Sequence, residues 1–246
     1  MKLIVIILCL LSERFLLHRA SATCFYWFPQ YFAQISKWLP NQYPWMTLMA
    51  IIVPLLLITW SLSLLLANIV FGFLTFLFHL VIFYNCLGPE NPFYPANVRQ
   101  SGNDVHSAVG SYFVKVNEGM FALIFWYILT GPIGVLLYKL CNLCIKEETV
   151  ADMAAYLFQL LNWLPARLTT LFYLVVGNFQ QGFPRFMQMF WSSPQKNDEL
   201  LYEVGLLAAR TKNDEVIQLI FAEHLVEQAL IVYLVFIALF TLVASI

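Results

Sequence analysis

The sequence contains a stretch of 52 residues, between Lys37 and Glu90, without a single Asp, Glu, Lys or Arg. A helix that crosses a bilayer needs about 20 mainly apolar residues, so this stretch has room for two spans. Hydrophobic residues make up 61% of the whole chain and charged residues 11%, against about 45–50% and about 25% in soluble domains. The sequence therefore predicts an all-α, multi-pass membrane protein.

Six apolar segments define the predicted membrane region, and about four to six of them are expected to be transmembrane helices. Gly131 and Pro132 should bend or break the fourth segment. Pro165 and Arg167 lie inside the fifth, and a charge at mid-bilayer costs about 3 kcal/mol, so Arg167 is expected to face protein, water or an interface. The predicted spans lie near residues 3–17, 45–66, 70–87, 119–138, 156–176 and 228–246.

The basic residues between the spans set the predicted orientation. Short loops rich in Lys and Arg stay in the cytoplasm, which places the stretches 13–44, 88–118 and 185–227 there and the uncharged hairpin tip near Asn68 outside. Within the last of these stretches, Gln195–Glu227 is polar and its apolar positions recur at helical spacing, which predicts an amphipathic cytoplasmic helix. Those positions are Leu201, Val204, Leu207 and Ala208. Asn213-Asp214-Glu215 is expected to start a further helix that runs into the last span. The simplest organisation is one membrane domain over residues 1–246.

The sequence lacks the motifs and charge patterns of several classes of protein. A net charge of −1 gives no basic field for nucleic acid. Neither a glycine-rich phosphate loop nor an HExxH motif occurs. Cys141 and Cys144 form a CxxC motif without the second ligand pair that a zinc site needs. The sequence thus indicates no metal, no other cofactor and no catalytic constellation.

Polar residues flanking the predicted span 119–138 form the candidate ligand site. Two interpretations remain open. The residues are either helix caps and interfacial anchors or the lining of a polar pocket around an interrupted helix. The candidate residues are Asn117, Glu118, Tyr138, Lys139, Asn142 and Arg167.

The order and spacing of several short elements resemble the CobD/CbiB/AmpE family over most of the chain. Glu13-Arg14-Phe15 follows a short apolar run, and Asn162-Trp163-Leu164-Pro165-Ala166-Arg167-Leu168 resembles the family's Pro-x-Arg-Leu element. The central elements are 119–126, 131–134, Tyr138-Lys139 and Asn142. Two branches matter: the ATP-dependent adenosylcobinamide-phosphate synthases, and AmpE, which is linked to β-lactamase induction and cell-wall recycling.

The short chain and the polar C-terminal segment resemble the AmpE branch more. Where the synthases carry a Ser-Asp-Gly-type element, this chain has Lys115-Val116-Asn117-Glu118-Gly119. The resemblance implies a regulatory membrane protein whose partners are the bilayer and either a cell-wall-derived ligand or another protein. The alternative is an amide ligase, which would need ATP, Mg²⁺ and acidic residues such as Asp104 and Glu118. A transporter ranks last, because no inverted repeat accompanies the interrupted helix.

The full-length protein is expected to stay with the membrane fraction after an alkaline carbonate wash, because its charge-free stretches are too apolar for water. Immunoblotting of the washed membranes and the supernatant measures this. Recovery of a monodisperse product without detergent would contradict the membrane assignment.

Overall fold

A computed structural model describes the chain in six stretches, and all regular structure within them is helical. These stretches are residues 2–15, 25–38, 44–67, 72–87, 105–210 and 219–243. The predicted hairpin tip near Asn68 and the candidate acid Asp104 lie outside the described residues. The helices are α1 Lys2–Phe15, α2 Phe28–Ser36, α3 Pro44–Ala67, α4 Phe73–Leu87, α5 Val105–Val116, α6 Ala122–Thr130, α7 Pro132–Cys144, α8 Ala151–Val176, α9 Phe179–Met189, α10 Asn197–Ala209 and α11 Leu219–Val243.

Three helical stretches of the described chain are long and apolar enough to cross a membrane: Pro44–Leu66, Ser107–Thr130 and Leu219–Leu242. Shorter apolar helices occur at Lys2–Ser12, Phe73–Leu87 and Pro132–Cys144. The prediction of an all-α membrane protein is therefore confirmed. Helix α8 is 26 residues long but carries polar side chains along its length, and the crossing predicted for 156–176 stays a prediction.

The predicted span 119–138 has the wrong bounds. Helix α5, a π-helical turn at Asn117–Phe121 and helix α6 follow one another without a break and end at Thr130. Gly131 then adopts φ 76° and ψ −150°, a combination essentially confined to glycine, and Pro132 begins α7 in the position where proline is best tolerated. The break predicted at Gly131-Pro132 is confirmed, whereas the polar segment predicted to reach residue 118 is already helical from Val105.

The C-terminal span also begins earlier than predicted. Helix α11 starts at Leu219 rather than at residue 228, and its first turns contain Glu223, His224 and Glu227. Charge-free runs show where lipid contact begins, but backbone hydrogen bonding continues past them into the polar segment. The amphipathic helix predicted within 195–227 corresponds to α10, and the further helix predicted to run from Asn213-Asp214-Glu215 into the last span corresponds to α11, which begins at Leu219.

The described residues group into two compact units. One comprises Met1–Pro89 and Leu123–Leu161, the other Glu90–Ala122 and Asn162–Ile246. In the first, α1 packs on α4 while α3 and α4 both pack on α7. The Lys2 ammonium there donates to the Ile128 carbonyl at 2.8 Å. The assignment of residues 1–246 to a single domain stays a prediction.

The second unit is centred on the pairing of α5 with α10. Helices α9 and α11 also pack against this pair, α9 on α10 and α11 on α5. The fully buried Tyr173 ring of α8 lies 5.0 Å from the Phe113 ring and 5.7 Å from the Phe121 ring, measured between centroids. Three of the four apolar positions predicted for the amphipathic helix, Leu201, Val204 and Ala208, are buried in this core.

Gly131→Ala is expected to destabilise the protein by about 1–3 kcal/mol, because a Cβ atom disfavours this backbone conformation. Thermal unfolding in detergent measures the loss. Leu129→Ala is the control, since the Leu129 side chain is 60% exposed and its truncation should matter less. Equal midpoints for the two variants would contradict the role given to Gly131.

Candidate functional site

The π-helical turn at Asn117–Phe121 places two candidate site residues, Asn117 and Glu118, in different surroundings. A π turn holds more residues than an α turn and is frequent at functional sites. Asn117 is fully buried, whereas Glu118 is half-buried and lines a cleft. The two neighbours therefore take part in different interactions.

Asn117 belongs to a buried amide network with helix α8. Its Nδ2 atom donates to Asn162 Oδ1 at 2.8 Å, and Thr169 Oγ1 donates to Asn117 Oδ1 at 2.8 Å. Asn162 and Thr169 lie two turns apart on one side of α8, so a single side chain of the π turn bridges both. Such bonds between membrane helices contribute about 0.6–2 kcal/mol each. The arrangement favours a structural role for Asn117.

All three nitrogens of the Arg167 guanidinium group donate hydrogen bonds within the protein. Its Nε donates to Phe190 O at 2.7 Å, Nη1 to Trp163 O and Asn197 Oδ1, each at 2.8 Å, and Nη2 to Ser192 O at 2.9 Å. Nη2 also lies 3.4 Å from Ser192 Oγ. The group stacks 4.0 Å above the Trp163 ring.

An arginine has five N–H donors, and these contacts engage all of them. Arg167 thereby ties α8 to the end of α9 and the start of α10. A ligand could bind Arg167 only by displacing one of these acceptors. The surroundings agree with the expectation that this charge faces protein, and its ligand-binding role stays a prediction.

A cleft of about 640 Å³ opens between the α5 helix and α10. Four of its eight lining residues are acidic, and one is a lysine. One wall comes from α5 and the π turn, at positions that share a helix face; the other comes from the first two turns of α10. The lining residues are Ser111, Val114, Lys115 and Glu118, opposite Asp198, Glu199, Tyr202 and Glu203.

The four carboxylates indicate that this cleft borders water. Charged side chains within membrane segments face the protein interior or a water-filled cavity, because lipid cannot solvate them. The first half of the apolar stretch Ser107–Thr130 carries the cleft wall. Length and composition alone would place that half in lipid, but its acidic neighbours require an aqueous or protein environment.

One of the four acids, Glu203, forms an ion pair with α9. Glu203 Oε2 lies 2.5 Å from Arg185 Nε, and this hydrogen bond and the Glu203 charge raise the pKa of Arg185. Glu118, Asp198, Glu199 and Lys115 are the other charged residues that line the cleft. In the part of the chain that the structure describes, no three His, Cys, Asp or Glu side chains converge as a metal site.

The six candidate residues divide between the two units. Asn117, Glu118 and Arg167 lie in the unit that contains the cleft, and Glu118 lines it. Tyr138, Lys139 and Asn142 lie in the other unit, in the second half of α7. The sequence placed these three at the far end of the interrupted segment 119–138; in the structure they lie beyond the break at Gly131, in a separate helix.

Tyr138 is buried, and its ring lies 4.8 Å from the Phe158 ring, measured between centroids. This contact is a packing role. Sequence reasoning missed the acidic residues of α10. Their signal was present, because Asp198, Glu199 and Glu203 lie on the polar side of a helix recognised as amphipathic.

Comparison with known proteins identifies distant relatives over part of the chain. A protein of Chromobacterium violaceum called "Cobalamin biosynthesis protein CobD" is 33% identical over 111 residues, which cover 41% of this chain and 36% of that protein. A protein of the same name from Stutzerimonas stutzeri is 29% identical over 111 residues, with 41% and 37% covered.

Part of the chain is similar to CobD proteins. It spans a little over a third of the length of these curated relatives. No protein-family model matches the chain, and no solved structure matches it. The similarity supports the CobD/CbiB part of the family resemblance and leaves the assignment to the AmpE branch without support.

Arg167→Ala is expected to destabilise the protein by several kcal/mol, because each buried acceptor left without a donor costs about 1–3 kcal/mol. Arg185→Ala is the matched control. Its ion pair with Glu203 is partly exposed, with side chains 39% and 34% accessible, and exposed pairs contribute little to stability. Thermal unfolding in detergent compares them, and similar losses would contradict the structural role of Arg167.

Proposed function

We propose that this chain acts in cobalamin biosynthesis as an inner-membrane, multi-pass protein. The observation that carries this proposal is the similarity to two proteins named for cobalamin biosynthesis. Within that process, the family resemblance points to the amide-forming ligation of the adenosylcobinamide-phosphate synthase type. In such a reaction ATP activates a corrinoid carboxylic acid, and an aminopropanol-type amine then forms the amide.

The acidic cleft suits the charges of these reactants. A protonated amine is attracted by the carboxylates of Glu118, Asp198 and Glu199. Mg²⁺ that accompanies a nucleotide is usually held by one or two carboxylates plus substrate phosphates. Glu118 with Asp198 or Glu199 would supply such carboxylates, and Mg²⁺ would neutralise phosphate charge. The Lys115 ammonium on the same wall would contact a phosphate oxygen as a point charge.

A regulatory role of the AmpE type is the competing function, and one observation favours it. Where the synthases carry their Ser-Asp-Gly-type element, this chain has Asn117, whose side chain forms buried hydrogen bonds with Asn162 and Thr169. That side chain is then unavailable for catalysis. A sensor would need a ligand or partner that binds two arrangements of the protein with different affinity.

The test is complementation of a strain that lacks its own CobD-type protein. The expected result is growth on the corrinoid acid precursor when this chain is supplied. The strain without it should grow only on the corrinoid amide product. Failure to complement, although the protein is present in the membrane, would overturn the proposal.

Glu118→Gln is expected to lower the complementing activity, or ATP turnover by the purified protein with an aminopropanol-type amine, by about tenfold or more. The change keeps the shape of the side chain and removes its charge. Glu203→Gln is the control, because Glu203 is already paired with Arg185 and its loss should change the rate by less than about threefold. Thermal unfolding of both variants establishes that they are folded.

Equal rates for the two variants would remove the cleft from the mechanism while leaving the cobalamin assignment intact. The competing function gives a different result. It requires that deletion in a strain with an inducible β-lactamase abolishes induction by a β-lactam and leaves cobalamin synthesis unchanged.

A further inference from the structure

The short helix α2 occupies a part of the chain that the charge pattern assigns to a cytoplasmic loop. It has 9 residues, about 14 Å at 1.5 Å per residue, and is too short to span a bilayer. From Phe25 to Ser36 it has no Asp, Glu, Lys or Arg; Lys37 follows directly. Composition alone does not show whether this segment lies in water, on the membrane surface or within the membrane.

Contacts with α3 fix the depth of α2. Phe28 and Phe32 are buried, and α2 packs on α3. The Tyr31 hydroxyl donates to the Ile51 carbonyl at 3.1 Å. Ile51 lies about 10 Å along α3 from Pro44, where the apolar stretch begins.

The segment before α2 reaches deeper. Phe25 and Trp27 line an apolar cavity of about 250 Å³ together with Leu55, Ile58 and Leu62 of α3. Ile58 lies about 21 Å from Pro44 along the helix, beyond the middle of the span. At the other end, Trp38 is separated from Pro44 by five residues. The segment 25–38 therefore runs antiparallel to the first half of α3, from mid-span depth to the boundary.

Two backbone N–H groups near the deep end of the segment donate to internal acceptors, as groups placed in lipid must. Phe28 N donates to Phe25 O and Tyr31 N to Trp27 O, both at 3.0 Å. Pro29 has no N–H to satisfy. The shallow end carries Lys37 and Trp38, and the Trp38 side chain is 89% exposed. A basic residue beside a Trp is typical of an anchor in the headgroup layer.

We propose that residues 25–38 form a half-membrane helical segment that lies in lipid beside the first half of α3. Its outer surface, which includes Tyr26, Ala33 and Trp38, contacts lipid. Gln30 and Gln34 also face outward; Gln34 lies in the shallow half, where its amide reaches the headgroup layer, and Gln30 lies at about the depth of Tyr31. The interaction partner of this surface is the lipid. Residues 25–38 therefore do not lie in the cytoplasm, where the charge pattern placed the stretch 13–44.

Nitroxide labels on the outer surface test this placement. The labels are attached to Tyr26→Cys, Gln30→Cys, Gln34→Cys and Trp38→Cys, one at a time, in a Cys24→Ser background reconstituted into phosphatidylcholine–phosphatidylglycerol vesicles. The other four cysteines are buried, and the unlabelled background measures their residual reactivity. Accessibility to oxygen and to a water-soluble nickel complex gives the depth of each label.

Two controls calibrate the depth scale. Leu57→Cys reports the lipid-facing side of α3, since Leu57 is 55% exposed, and Glu148→Cys reports the exposed turn before α8. The expected result is a gradient. The label at Tyr26 should resemble that at Leu57, the label at Trp38 should lie near the headgroups, and the two should differ in depth by about 10 Å or more.

Each other pattern overturns the proposal. Equal shallow depths at all four positions would show a helix lying in the membrane plane. Nickel accessibility equal to that at Glu148 would return the segment to water. The four positions are independent, so one variant that fails to fold leaves three that still define the slope. This outcome does not depend on the cobalamin assignment.

Discussion

The structure depends on pairing polar groups inside a chain that is too apolar to leave them to water. Helix α8 carries Asn162, Arg167, Thr169 and Thr170 fully or almost fully buried. A buried polar group without a partner costs several kcal/mol in an apolar medium. Here the partners come from the π turn, from the end of α9 and from Asn197 at the start of α10. These hydrogen bonds fix the positions of three neighbouring helices, and packing of the aromatic core around Tyr173 follows from them.

The same constraint explains which parts of the fold could be predicted. Long charge-free runs have one physical outcome, so the α3 helix was predicted within one residue at each end. The break at Gly131-Pro132 was also predictable, because glycine and proline act through local backbone geometry. Helix α5 and the exact start of α11 were not, since a helix continues past the last apolar residue wherever tertiary packing supports it.

The candidate site was predicted in part for a related reason. Glu118 was singled out by its position beside a span, but the cleft needs the opposite wall, and no rule of sequence spacing joins Glu118 to Asp198 across 79 intervening positions. Arg167 was expected to avoid lipid, and it does, yet its five acceptors are mostly backbone carbonyls that carry no sequence signal. The expectation for Tyr138 failed in the opposite way. It was placed near the end of a span but lies within a separate helix.

The two helices that form the cleft interlock through glycines. Gly110 of α5 lies against the Tyr202 ring, and Gly205 of α10 lies against the Phe113 ring, where a Cβ atom would approach ring carbons to 2.6 Å. Each helix thus inserts one aromatic ring where the other has no side chain. Sliding α10 along α5 by a single turn would drive both rings into neighbouring side chains, so the register admits no gradual adjustment. The distance between the two walls of the cleft is consequently set when the protein folds. A ligand therefore enters a cleft whose width is already determined.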